Sequence, residues 1–238
     1  MDFTELKARR LEDEDLSRKG SIDKPIVELV NVINSMSRYC TTSSCSGRVI
    51  LFENNSEGVQ KKGCKWLHVS HELVKAQNIL KALEDITQEA VFKFEPMVMH
   101  IQCDSLSAAQ QMHQVAVAAG FRNSGITVGN KGKTMVAVRS THGLEAPLSD
   151  QGKLLVSHDY VEYLTECANK KMEMNLSRIV RFMENVKELS ERPDVPIGAK
   201  HRKKKEKPPR VDKSEAGKKS PAILCEPDSD VMSIFGDS

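Results

Sequence analysis

Apolar positions along the chain alternate between two periods, and the switches between them outline the elements. Ile26, Leu29, Val30 and Ile33 step by three and four, which predicts a helix from about Lys24 to Met36. Asp23 precedes it as an N-cap, with Pro25 in the first turn, where its missing N–H costs nothing. Upstream, residues 3–16 read as a short charged helix anchored by Phe3, Leu6 and Leu11, and residues 17–21 as a basic loop. Two strand-like runs follow, 48–53 and 64–70, which the turn residues 54–58 would join as a hairpin. In the second run a period of two puts Trp66, His68 and Ser70 on one face, with Leu67 and Val69 opposite.

Residues 71–85 then read as a helix, with His71 near its start. The runs 91–94 and 97–103 are strand-like and are split by Glu95-Pro96, since proline cannot donate to a ladder. Ser105 caps a helix reaching about Ala119, with Gly120 as its stop. Residues 121–128 and 134–140 form a hairpin around 129–133, Leu144–Leu148 closes that unit, and 153–156 adds a short strand. A long helix from about His158 to Ser190 carries a buried stripe that includes Tyr160, Leu164, Cys167, Met172, Ile179 and Val180. Lys170, Lys171, Arg178, Arg181 and Lys187 are expected to face water. The predicted architecture is α+β, a mixed central sheet flanked by helices, in one domain over residues 1–190. Residues 191–238 are poor in apolar residues and are expected to form a disordered charged tail.

Composition sharpens this outline. The chain has 238 residues and a formal net charge of +2. From Glu191 onward there are 11 Lys/Arg and 9 Asp/Glu, leaving 24 of each before it, so the core is neutral and any nucleic-acid contact must come from a local patch. Six scattered cysteines form no CxxC pair, which argues for reduced thiols and no structural metal. The polar amino terminus and the lack of a long apolar run lead to an expectation of a cytoplasmic protein without a membrane span. The run 201–205 is a candidate nuclear signal.

Candidate chemistry concentrates in Thr41-Thr42-Ser43-Ser44-Cys45-Ser46-Gly47-Arg48, read as a loop between the second helix and the first hairpin strand. Hydroxyls, the Gly47 amide and the Arg48 fork can hold a carboxylate or a phosphate there, and a turn capping its own backbone has the same composition. Neither GxGxxG after a strand nor GxxxxGK[ST] is present, so neither a Rossmann nor a P-loop site is supported. A cysteine enzyme built on Cys45 lacks an identifiable paired base.

The sequence resembles the wybutosine-synthesizing protein 3 family over roughly residues 17–187. The resemblance is carried in order by residues 17–23, 39–48, 65–71, 94–96 with His100 and Cys103, 120–126, 144–148 and the long final helix. It implies S-adenosylmethionine as methyl donor, a ring nitrogen of the tricyclic base beside the anticodon of tRNA-Phe as acceptor, and a fold unlike the Rossmann methyltransferases. On it, His100 and His68 are candidate general bases, ahead of His71. Ser43, Ser44, Ser46, Gly47, Arg48 and Trp66 are candidates for the donor, and Lys19, Asp23, Arg122, Ser124, Gly125 and Lys131 for RNA. No metal is expected, and a monomer is. The rival reading is a non-catalytic tRNA-binding module that uses the serine-rich stretch for phosphate.

Overall fold

The computed structural model describes residues 2–12, 20–54, 64–129 and 132–192. A six-stranded antiparallel sheet forms the frame, ordered β2-β1-β3-β5-β4, with β6 also paired to β3. The strands are β1 (Tyr39–Glu53), β2 (Lys65–Ser70), β3 (Ala90–Cys103), β4 (Gly125–Val128), β5 (Thr134–Val138) and β6 (Leu144–Pro147). A small hairpin of β7 (Ser149–Asp150) and β8 (Lys153–Leu154) stands apart. The helices are α1 (Phe3–Glu12), α2 (Val27–Ser35) after a 3-10 turn over Lys24–Ile26, α3 (Ala76–Ala82), α4 (Leu106–Ala118) and α5 (His158–Glu191). No helix among the described residues is long and apolar enough to cross a membrane. The sheet is antiparallel rather than mixed, because the strands of like sense that α3 and α4 connect, β2 with β3 and β3 with β4, are kept apart by β1 and β5, so every neighbouring pair runs antiparallel.

Two clusters of buried side chains fill the helix-covered face. Met97, Met99, Ile101 and Val136 pack with α2, α4 and the second half of α5. Val49, Leu51, Phe92 and Phe94 pack with α3 and the first half of α5. Helix α5 thus spans both, burying Val161, Leu164, Ala168, Met172, Ile179, Phe182, Val186 and Leu189 near a 3.5-residue period. Tyr160 and Val180 lie off that stripe and are exposed, whereas Lys171 and Arg178, expected in water, are half-buried.

Other differences from the sequence expectation have local causes. Helix α3 is shorter than 71–85, and His71 lies in the bend before it. Asp23 precedes the 3-10 turn but makes no side-chain cap; only its carbonyl receives Ile26 N–H. The runs 91–94 and 97–103 are one strand. Proline is tolerated at 96 because β6 covers β3 over Val91–Phe94 and β5 covers it over Met99–Cys103, leaving 95–98 in the gap between them. The buried set on β3 changes there from Ala90, Phe92 and Phe94 to Met97, Met99, Ile101 and Cys103.

Candidate active site

The serine-rich stretch is strand, not loop: it is the first half of β1, paired along its length with β3. Strand β2 covers β1 only over Val49–Glu53, so residues 39–47 reach past it with one side open. Side chains occupy the place of the missing strand. Asn34 of α2 accepts Thr41 N–H at 2.9 Å and donates to Thr41 Oγ1 at 2.9 Å. The buried Asp23 carboxylate accepts Ser46 N–H at 2.8 Å. His71 brings Nδ1 to 2.9 Å from the Gly47 carbonyl and 3.3 Å from Asp23 Oδ2. A carbonyl only accepts, so Nδ1 carries the proton and Nε2 keeps its lone pair. Among the described residues, Nε2 has no hydrogen bond. This is an Asp–His pair with one ring nitrogen anchored and the other available.

Gly47 and Asn175 hold that arrangement in place. Gly47 has φ +100°, and a Cβ there would lie 2.8 Å from Asn175 Nδ2 and 3.0 Å from the Glu95 carbonyl. Asn175, fully buried on α5, donates to Ser46 O at 2.7 Å and accepts Met97 N–H at 2.8 Å. It therefore satisfies both strands at Ser46 and Met97, the pair missing from their ladder next to Gly47–Pro96.

The Ser43 hydroxyl lies 3.0 Å from His100 Nδ1, and Arg139 donates to His100 Nε2 at 3.1 Å. Because Arg139 can only donate, His100 Nε2 is the acceptor, Nδ1–H points to Ser43, and neither ring nitrogen is left open. Burial, and then the Arg139 charge, hold the His100 pKa below its ordinary value. His100 is thus kept neutral as a holder of Ser43, and its lone pair is occupied.

The other sequence candidates are dispersed. Strand β2 carries a bulge: Leu51 faces His68 but Phe52 faces Trp66, so Trp66 and His68 do not share a face. Trp66 tilts against Phe52 at 6.1 Å between ring centroids, with the Arg48 guanidinium 5.4 Å above its ring. Arg48 is also paired with Glu95 at 2.9 Å, so its fork is committed. His68 has Nε2 buried without a partner, and burial lowers its pKa. Ser46 is buried; Ser43 and Ser44 remain exposed. Ser124 accepts Arg139 N–H and donates to Phe121 O, Gly125 opens β4, and Arg122 is exposed beside them. Lys19, Lys131 and the tail from residue 193 lie outside the described residues.

Ligand atoms of Asp23, Cys45 and His71 lie within 4.8 Å of one another, close enough to hold a cation. Their hydrogen bonds argue for another use. His71 Nδ1 spends its proton on Gly47 O, Asp23 holds Ser46 N–H, and burial pushes the Cys45 thiol up, away from the thiolate that a metal or a nucleophilic mechanism requires.

The family model described as Methyltransferase TYW3 matches residues 4–188. The chain belongs to that family. It is 53% identical over 182 residues to the tRNA wybutosine-synthesizing protein 3 homolog of Xenopus laevis, covering 76% of this chain and 72% of that one. The homolog of Homo sapiens is 49% identical over 193 residues, covering 80% and 74%. Among solved structures, the PH1069 protein from Pyrococcus horikoshii superposes with a TM-score of 0.72 at 29% identity, covering 78% of this chain and 96% of that one. A methyltransferase of the TYW3 family is therefore built on an antiparallel sheet without a Rossmann crossover.

Within the family fold, the residues that sequence reasoning misses are His71 as the open-nitrogen histidine, Asn175, Asn34 and Arg139. Asn175 leaves a signal, a polar residue within the apolar stripe of α5. His71 closes the block 65–71 that carries the family resemblance and ranks there behind His100 and His68, whereas for Asn34 and Arg139 no pattern in the sequence distinguishes them from surface residues.

Proposed function

We propose that the chain is an S-adenosylmethionine-dependent N-methyltransferase acting on the tricyclic wybutosine precursor base next to the anticodon of tRNA-Phe. Family membership supports the reaction class, and the names of the relatives support the pathway. The observation that carries the site assignment is the Asp23–His71 pair set against the open edge of β1, with one imidazole nitrogen left without a hydrogen bond among the described residues.

S-adenosylmethionine supplies an electrophilic methyl group on a positively charged sulfur. The residues present suit it: Ser43 offers a hydroxyl donor for a carboxylate, while Ser44 projects from the opposite face of β1, and the buried Asp23 carboxylate favours positive charge nearby. His100 and Arg139 fix Ser43 for that contact. The proton that the acceptor nitrogen would lose on methylation would pass to His71 Nε2. Asp23 then stabilises the imidazolium, while Gly47 O keeps the ring oriented. Neutral His71 is the active form.

The test replaces His71 by Gln in the full-length protein and follows single-turnover methyl transfer to precursor tRNA-Phe at saturating donor. Base catalysis contributes about a hundredfold or more. A loss of that size at unchanged melting temperature is expected, and an unaffected rate would remove His71 from the chemistry. Mass analysis of the anticodon-adjacent base from cells lacking the protein tests the substrate: accumulation of the unmethylated tricyclic base is expected, and a fully modified base would refute the assignment.

A further inference from the structure

Three arginines meet where α4 ends against α5. The Arg178 side chain lies across Gly120, where a Cβ would come within 3.4 Å of its Nε. Arg181, one turn on, donates to the Ala119 carbonyl at 3.4 Å and to Ser177 Oγ at 2.8 Å. Arg122 stands two residues past Gly120 and is exposed. Among the described residues, no carboxylate pairs with any of them, nor with Arg139, whereas Arg38, Arg48 and Arg192 each have one. The mutual repulsion is felt: burial, then Arg181 and Arg122, lower the Arg178 pKa. Nearby, His142 accepts from Arg178 while Lys171 donates to its carbonyl at 3.2 Å, and burial with Arg178 pulls the His142 pKa down to about 4.

Capping of the last α4 carbonyls accounts for Arg181 Nε. It does not account for three guanidiniums held together without a counter-charge, an arrangement that costs free energy in the free protein and is relieved by an anion. Two partners carry such charge, an acidic polypeptide and a nucleic-acid backbone. Guanidinium forks match phosphodiester oxygens two at a time. The patch also continues toward the candidate active site: Arg139 N–H donates to the Oγ of Ser124, two residues past Arg122, and its guanidinium reaches His100, which holds Ser43. A strand of RNA laid on the three arginines would lead to the open edge of β1.

We propose that Arg122, Arg178 and Arg181 form a binding site for RNA backbone phosphates that anchors the substrate beside the Ser43–His100–Arg139 chain. This rests on the proposed function only in taking RNA as the substrate.

The test uses the full-length protein and unmodified tRNA-Phe transcript, with affinity measured across a salt series. Each phosphate contact contributes about 0.7 to 0.9 to the slope of log affinity against log salt. Arg122→Gln/Arg181→Gln, which spares the half-buried Arg178, should lower the magnitude of the slope by about 1.4 to 1.8 and weaken binding about tenfold at low salt. Arg178→Lys, tested separately, keeps the charge but not the fork and should weaken binding with little change in slope. A double variant that is folded by circular dichroism and binds with the wild-type slope would overturn the site. So would an arginine-dependent affinity for polyglutamate together with an unaffected RNA slope. Failure of the proposed function reads out elsewhere, as RNA binding with wild-type dependence on these arginines but no methyl transfer.

Discussion

Asn175→Ala removes one amide that serves two strands. In the native structure its Nδ2 donates to Ser46 O at 2.7 Å and its Oδ1 accepts Met97 N–H at 2.8 Å, in a fully buried position. Alanine leaves both backbone groups buried without a partner, and each such group costs about 1 to 3 kcal/mol. The two together give a loss of about 2 to 6 kcal/mol. For a domain of this size, 1 kcal/mol shifts the melting temperature by about 2 to 4 °C. Urea unfolding followed by circular dichroism measures the loss as a lower midpoint at an unchanged m-value. The local consequence is sharper than the global one. Ser46 and Gly47 are the groups to which Asp23 and His71 are bonded, so loosening them spoils the geometry of the pair. Donor affinity should fall even at temperatures where the variant is fully folded. A loss below about 1 kcal/mol would mean that water or a backbone shift satisfies the two groups, and the account of Asn175 as the splice between β1 and β3 would be wrong.

Gly47→Ala should destabilise by about 2 kcal/mol or more, since its φ of +100° and the 2.8 Å approach to Asn175 leave no room for a methyl group; chemical denaturation measures it. His71→Gln should cost methyl transfer about a hundredfold at unchanged melting temperature, read in single turnover. The folded-state pKa of His142 lies near 4, below its ordinary 6.5, so the unfolded chain binds the extra proton first and stability is lost as pH falls through that window. His142→Gln should therefore flatten the acid limb of melting temperature against pH between about 6.5 and 4; an identical limb in the variant would place the titration elsewhere, with His68 and His100 next in line.

The elements were legible where their signal is local. Ser105 does cap α4 through Ala108 N–H, Gly120 does follow its end with a positive φ, and α5 extends over nearly the span its periodicity predicts. The errors arise where a partner far along the chain overrides a local preference. Hydroxyls and a glycine at 41–47 read as loop because those residues form turns when alone; β3 makes them a strand, and Asn175, 129 residues from Ser46, pays the hydrogen bonds that the Gly47 kink leaves open. Pro96 reads as a break because the gap between β5 and β6 cannot be seen from β3 alone. The bulge that parts Trp66 from His68 is likewise a property of the pairing with β1, since a strict period of two would keep them together. The site residues divide the same way. Ser43, Ser44 and Asp23 stand at the open edge, whereas Arg48 is drawn off by Glu95, and Ser46 is buried.

The open edge itself explains how a methyltransferase site can arise without a glycine-rich loop. An uncovered strand edge exposes backbone donors and acceptors, and proteins ordinarily blunt it with charge, a bulge or a covering element. Here β2 stops at Ser70, and the next residue, His71, turns its ring onto the edge that β2 has left. A backbone partner would have used its groups completely. A side chain has groups left over: His71 retains Nε2, and Asp23 retains a charge that a peptide lacks. Ser43 and Ser44, paired with β3 on one side, have no strand on the other and stay exposed. The same substitution that satisfies the edge therefore supplies a base, a counter-charge and hydroxyl donors within one short segment. Extending β2 in register by four residues, to pair with Arg48 through Cys45, would displace those groups and complete that part of the ladder. That change would strengthen the sheet and remove the chemistry, so the shortness of β2 is the feature on which the proposed function depends.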